Sequence, residues 1–332
     1  MKNMIFYRLK QPWLFCLVLS VMGGCAKQEH PEGLSSKDGV IVGFSQIGAE
    51  SAWRTCNTRS VKEAAAQAGV QLLFSNAEQK QENQIKAIRS FIAYQVDVIA
   101  FVPIVTGGWD NVLMEAKDAG IPVLVVDRKI DIQDESLYAG HIGTDGVEQG
   151  RKAGLFLLEK FKDQLGNGEP IHIVELSGTT GSSMAMSRAE GFREVLSPYS
   201  QFQIIYSESG DFLRSKGYEL MRSILETGLD IDVLFSHNDS MTLGVLNAMK
   251  EAGLKPGVDV VIVTVDAEQA AINALIRGEV NCVIECNPKQ GPEIIRLAQA
   301  LVRGEKIPRL IHMEETVFYE GEDLSSLPPR GY

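Results

Sequence analysis

Val123-Leu-Val-Val-Asp-Arg128 is an unbroken apolar run that stops at a carboxylate and a guanidinium. Two later stretches have the same form, Val233-Leu-Phe-Ser-His-Asn-Asp239 and Val261-Ile-Val-Thr-Val-Asp266. A continuous Val/Ile/Leu run reads as a strand buried on both faces of a parallel sheet. In open α/β sheets, ligands bind outside the carboxyl ends of such strands. The three runs therefore predict an α/β fold whose strand ends gather Asp127, Arg128, Asn238 and Asp266 in one cleft. Carboxylate, guanidinium and carboxamide groups in that position suit a small polyhydroxylated ligand.

Outward from these runs, strand and helix signals alternate from Gly39 onward. Strands are predicted over 40–45, 70–75, 96–102 and 121–126, with helices over about 52–68, 80–94 and 108–119 between and after them. The second of these helices places Ile85, Ile88, Phe91 and Ile92 on one face at helical spacing. The pattern then restarts. Helices over 147–161, 183–196, 212–226, 240–252 and 267–276 alternate with strands over 171–176, 202–206, 233–236, 258–265 and 280–285, and a last helix runs from Pro288 to about Arg303. Repeated βα units imply parallel sheets covered by helices on both faces. Two such blocks amount to two lobes, and a chain of this length exceeds what one core usually supports. Crossings between the lobes are expected at Tyr138–Thr144, near Cys286–Pro288 and again near a strand at Glu315–Tyr319. This assigns 39–143 plus 287–311 to an N-terminal lobe and 144–286 plus 312–332 to a C-terminal lobe.

The first 24 residues read as an export signal. Lys2, Arg8 and Lys10 precede an apolar stretch from Trp13 to Met22, shorter than the roughly 20 residues that span a bilayer. Met22-Gly-Gly-Cys25 resembles a bacterial lipoprotein cleavage site, with Met22 where Leu is more usual. Cys25 would then carry lipid and hold the protein to a membrane while its body stays soluble; an ordinary secretory signal is the alternative. Residues 25–38 are polar and turn-rich, the composition of a tether. The formal net charge of −11 argues against nucleic acid or an anionic membrane surface as a partner. Cys56, Cys282 and Cys286 remain after the leader, as buried thiols or as one disulfide and a free thiol. No Cys/His spacing calls for a metal, and nothing calls for a cofactor.

Several further residues qualify for the cleft. In Gly43-Phe-Ser-Gln-Ile-Gly-Ala-Glu-Ser-Ala-Trp-Arg54, the first strand runs through a loop containing Glu50 into a helix start with free N–H donors. Trp53 offers a flat apolar face to a sugar ring and Arg54 a fork of donors; core packing and a solvated helix face are the alternatives. Asp127 and Arg128 either hold hydroxyls or form an internal ion pair that shapes the turn. Arg188 follows Gly-Thr-Thr-Gly-Ser-Ser, equally a capping stretch or a weak phosphate loop without the P-loop Lys. Asn238 can donate and accept, with Asp239 read as the helix cap of the pair. Phe212 either faces Trp53 across the cleft or makes a core contact at a helix start. His172 and His237 read as structural. No arrangement of nucleophile, base and orienting group is present, so the chain is not expected to be an enzyme; Asp127 and Asp266 as a glycosidase pair is the remote alternative.

These motifs resemble the type I periplasmic binding proteins of ABC sugar importers, the ribose- and galactose-binding group, and within it the galactofuranose-binding subgroup. The resemblance covers about Val40 to Tyr332. It is carried by the Val42–Arg54 stretch, by Gln79-Lys-Gln-Glu-Asn-Gln-Ile-Lys-Ala-Ile-Arg-Ser-Phe91, Ser209-Gly-Asp-Phe-Leu-Arg-Ser-Lys-Gly217, His237-Asn-Asp239 and Lys250-Glu-Ala-Gly-Leu-Lys-Pro-Gly257. It implies two Rossmann-like lobes joined by three hinge crossings, closing as a monomer on one monosaccharide. It further implies that Arg54, Asp127, Arg128, Arg188, Asn238 and Asp266 hold the ligand and that Phe212 stacks on its ring. An enteric member of the subgroup carries a second-lobe cysteine pair, which this chain lacks around His172 and Val233. The implied partner is an ABC permease, or alternatively a chemotaxis or sensor-kinase protein. A transcription regulator of the same fold would begin with a basic helix-turn-helix instead of an export signal.

Overall fold

The computed structural model describes residues 39–166 and 168–332; the predicted leader, the tether and Cys25 lie outside them. Strands β1 (Ile41–Gln46), β2 (Gln71–Asn76), β3 (Val98–Phe101) and β4 (Val123–Asp127) alternate with helices α1 (Ala52–Gln67), α2 (Gln81–Ala93) and α3 (Asp110–Asp118), and β5 (Gly140–Gly143) follows. The second block holds α4 (Gly146–Lys160), β6 (Ile171–Ser177), α5 (Ser183–Leu196), β7 (Phe202–Ser209), α6 (Arg214–Glu226), β8 (Val233–Ser236), α7 (Asp239–Glu251), β9 (Val261–Asp266), α8 (Gln269–Ile276) and β10 (Cys282–Glu285). Helix α9 (Gly291–Val302) and the short strands β11 (Leu310–His312) and β12 (Val317–Tyr319) complete the chain. Two six-stranded sheets result, in the orders β11-β5-β4-β3-β1-β2 and β12-β10-β9-β8-β6-β7. Every pairing is parallel except β10 with β12.

The apolar runs behave as doubly buried strands should. Along β3 and β4, Val98, Ala100, Leu124 and Val126 enter one core. Their neighbours Ile99, Phe101, Val123 and Val125 enter the core on the opposite face. The second sheet repeats this, with Leu234, Ile262 and Val283 on one side and Val233, Phe235, Val263 and Ile284 on the other. Helices on both faces are the only way to keep both sets from water, which is the physical content of a doubly wound α/β lobe.

The crossing expected over Tyr138–Thr144 is instead mostly strand: Gly140–Gly143 pair with Leu124–Asp127 as β5. Ile142 is its single large apolar side chain, too little to signal a strand. β11 was also not anticipated; it is a three-residue edge strand with exposed Leu310 and His312. The predicted 258–265 strand begins at Val261 because Val258 lies in a turn beside Gly257, at φ 75°.

The chain passes between the sheets three times, after β5, after β10 and between β11 and β12. These crossings are tied together. Thr144 Oγ1 lies 3.6 Å from Cys286 Sγ, and Asn287 N donates to Glu315 Oε1 at 3.3 Å. Burial pushes the Glu315 carboxyl up from 4.5 to about 7, against the opposing effect of the Gln149 amide. A carboxyl raised in the folded state contributes stability that is present below 4.5 and lost as pH rises through about 7. Glu315→Gln mimics the neutral form at every pH. Its unfolding free energy should therefore gain on wild type across that window, by on the order of 2 kcal/mol at pH 8. Parallel pH profiles in denaturant titrations would show that the carboxyl is not perturbed.

Candidate functional site

Between the carboxyl ends of the two sheets lies a cavity with about 320 Å³ of space not filled by atoms, part of it continuous with solvent. All nine residues expected there line it: Glu50, Trp53, Arg54, Asp127, Arg128, Arg188, Phe212, Asn238 and Asp266. Ser51, Met184 and Cys286 also line it and had not been expected. Cys286 had a usable signal, since it follows a buried strand as Arg128 does. Met184 and Ser51 are brought in only by the packing of the helices that carry them.

Three of these side chains sit on strained backbone. Asp127 has φ 60°, at the centre of a three-residue turn closed by Arg128 N donating to Val126 O at 2.7 Å. Phe212 has φ 61° and Asp266 φ 129°. Left-handed backbone at a residue other than glycine costs about 1–3 kcal/mol and collects at functional sites. Phe212 is consequently not a helix start: α6 begins at Arg214, after a turn in which Leu213 N donates to Gly210 O at 2.8 Å. Its ring lies 5.3 Å from the Arg128 guanidinium and 5.9 Å from that of Arg188.

The polar groups form three separate sets, one around each arginine. Arg54 Nε donates to Glu50 at 2.9 Å and Nη2 to Asp127 Oδ2 at 2.9 Å. Arg128 Nη1 donates to Ile104 O at 2.9 Å, and Arg188 Nε donates to Gln149 at 2.8 Å. Arg188 also donates to His237 O and lies 3.7 Å from Asp266 Oδ1. Among the described residues, Arg54 Nη1 and Arg128 Nε are buried and lack any acceptor. Buried donors are nearly always satisfied, and these two belong to residues that line the cavity.

Burial works against the Arg54 charge, yet Asp127 and then Glu50 hold its pKa above the ordinary value. Burial and the neighbouring Arg54 bring Arg128 down to about 10, still charged at neutral pH. Glu50 is buried too, but Arg54 and Arg128 keep its carboxyl below the usual range. Asp266 is pushed upward by burial against the opposing effect of Arg188, with Asp239, Glu268 and Asp127 adding to the rise. In its protonated form that carboxyl donates one hydrogen bond and accepts others. The lining thus carries three guanidinium and three carboxyl groups. The charges cancel only with Asp266 ionised; its protonated form leaves one net positive charge.

Trp53 is both a cavity residue and a core residue. It lines the cavity and also packs among Val265, Ile284 and Cys286 of the second sheet's core, and its indole N–H donates to Cys286 O. Asn238, not Asp239, caps α7: its Oδ1 accepts from Met241 N at 3.0 Å. Its Nδ2 donates to Phe212 O at 3.2 Å, which leaves it one N–H for a ligand. Asp239 is buried and serves Thr264 Oγ1 and Glu268 N instead. His237 is buried against Glu175, at 3.1 Å. Cys56, Cys282 and Cys286 are free, buried thiols.

Direct bonds join the two lobes around the cavity. Trp53 N donates to Glu268 at 3.3 Å, Thr106 N to Gly181 O at 3.2 Å, and Lys129 N to Ser183 Oγ at 2.8 Å. The structure is therefore a closed form, with the polar lining contributed from both sides.

Comparison with known proteins fits this geometry. The family model described as periplasmic binding protein domain matches residues 42–306. The galactofuranose-binding protein YtfQ of Escherichia coli is 40% identical over 300 residues, 88% of this chain and 93% of that protein. A Mycobacterium smegmatis structure in complex with β-D-fucofuranose superposes with a TM-score of 0.84 at 45% identity, covering 88% of this chain and 95% of that one. The binding component of the arabinose ABC transporter from Shewanella sp. ANA-3, bound to α- and β-L-arabinofuranose, gives a TM-score of 0.80 at 44% identity, covering 85% and 92%. These relatives are substrate-binding proteins, not enzymes. The chain belongs to the periplasmic binding protein family, in the two-lobed type I fold.

Proposed function

We propose that this chain is the exported sugar receptor of an ABC importer. It captures one monosaccharide in the furanose form, galactofuranose or a related aldose, by lobe closure and delivers it to a permease. The observation that carries the reading is the cavity lined by acids and arginines from both lobes, with unpaired Arg54 and Arg128 N–H groups. Its paired acids and bases match hydroxyls that donate and accept together. In this reading Glu50, Arg54, Asp127, Arg128, Arg188, Asn238 and Asp266 bind hydroxyl and ring oxygens, while Trp53 and Phe212 flank the ring. The furanose preference is supported by the relatives, whose sugars are galactofuranose, fucofuranose and arabinofuranose. Lipid attachment at Cys25, read from Met22-Gly-Gly-Cys25, would hold the receptor at the membrane beside its permease.

A thermal-shift screen tests this. D-Galactose, D-fucose and L-arabinose are compared with D-ribose, D-fructose and methyl galactopyranoside, the last locked in the six-membered ring. A ligand at a thousandfold excess over its Kd stabilises the native state by about 4 kcal/mol, so one of the first three should raise Tm by several degrees. No shift with any sugar would end the proposal, and an equal shift with the locked pyranoside would end its furanose part.

A further inference from the structure

Gln149 and Glu315 lie outside the cavity lining, yet they join it to the hinge. Glu315 sits on the third crossing, where its Oε1 accepts from Asn287 N of the second crossing at 3.3 Å. Gln149, on the first turn of α4 and fully buried, donates from Nε2 to both Glu315 oxygens, at 3.0 and 2.9 Å. Its other end, Oε1, accepts from Arg188 Nε at 2.8 Å. A carboxamide has one donor end and one acceptor end. Anchoring the donor end on a carboxylate fixes the acceptor end toward the arginine, whereas a reversed amide would set N–H against N–H. Glu315 therefore determines which way Gln149 points, and Gln149 holds the side chain of Arg188.

Hinge motion works through backbone rotation in a few crossing residues. Glu315 is one of four residues between β11 and β12, so rotation there carries its carboxylate relative to α4. We propose that Gln149 and Glu315 are positioning residues that couple hinge closure to Arg188, so that this arginine takes its ligand-ready pose only when the third crossing is in the closed arrangement. This rests on reading the cavity as a sugar site.

The test uses calorimetry on the full chain, with D-galactose as first probe and the other aldoses of the screen after it. Gln149→Ala and Glu315→Ala should each weaken binding about tenfold or more, the loss expected for a hydrogen bond to a charged group. The double variant should bind no worse than about the weaker single one, because both changes break the same chain of contacts. Glu315→Gln, which keeps an acceptor for Gln149, should stay within about threefold of wild type. Lower melting temperatures with unchanged affinity in Gln149→Ala and Glu315→Ala would reduce both residues to a structural role and overturn the coupling. Should Glu315→Ala not fold, Gln149→Ala and Glu315→Gln decide the matter. Wild type binding none of the aldoses would overturn the sugar reading itself, a different result from wild-type binding that the variants preserve.

Discussion

Replacing Asp127 with alanine is expected to weaken sugar binding by a hundredfold or more, about 3 kcal/mol, without unfolding the protein. Asp127 is 3% exposed and is bonded to Arg54, itself 4% exposed. Deleting the carboxylate leaves Arg54 with Nη2 unpaired in addition to Nη1, which already lacks a partner. Removing one member of a buried ion pair costs roughly 3–5 kcal/mol, because the remaining charge has lost its compensation. Part of that penalty falls on the closed form alone, since the open cleft returns Arg54 to water. The cost therefore appears as lost affinity more than as lost stability. Charge balance in the lining shifts as well, from three acids facing three arginines to two. Arg54→Ala should lose affinity to a similar degree. Calorimetry finding wild-type affinity in both variants would place the sugar elsewhere. Asp127→Asn separates charge from shape: it keeps an acceptor for Arg54 and should fall between wild type and Asp127→Ala.

The strand ends were legible in the sequence because burial on both faces leaves an unmistakable mark. Val123–Val126 and Ile262–Val265 are buried throughout, with Thr264 their one polar member, so the first charged residue after each must lie at the sheet's end. That logic alone placed Asp127, Arg128 and Asp266 in the cavity. β5 and β11 were not legible because neither carries such a run: β5 is buried but has Ile142 as its single large apolar side chain. Gly140-His-Ile-Gly143 and Leu310-Ile-His312 are short, and β11 lies at a sheet edge with Leu310 and His312 exposed. Composition says little about such segments; the neighbouring strand recruits them.

Backbone conformation accounts for most of the remaining surprises. Asn238 and Asp239 are equally good caps by side-chain chemistry. The choice was made by Asn238 taking extended angles, φ −156° and ψ 163°, while Asp239 entered the helix. Phe212 looked like a helix start because Leu-Arg-Ser-Lys follows it, but positive φ at Asp211 and Phe212 turns the chain before α6 begins. The same turn brings the Phe212 ring over two arginines from opposite lobes. Gln149 and Glu315 are 166 positions apart, and no local pattern marks either of them. Their pairing exists only once the third crossing has been folded against α4.

Gly191→Ala is expected to destabilise the protein by about 3 kcal/mol or more and to lower sugar affinity with it. In an isolated helix the same change would stabilise, by roughly 1 kcal/mol, since alanine is the better helix former. The sign reverses because α4 and α5 meet backbone to backbone. A Cβ on Gly191 would lie 1.9 Å from Val147 O, and one on Gly150 would lie 2.1 Å from Arg188 O. No side chain stands between to yield, so the helices must separate. Helix α4 carries Gln149 and α5 carries Arg188, whose 2.8 Å bond spans this same crossing. Separation thus moves a cavity residue as well as loosening the core. Gly166→Ala, where an added Cβ meets nothing within 4 Å, is the control and should be close to neutral. Thermal unfolding and sugar titration of the two variants suffice. A Gly191→Ala protein as stable as wild type would mean that the helices do not approach this closely, and the positioning of Arg188 by Gln149 would lose its foundation.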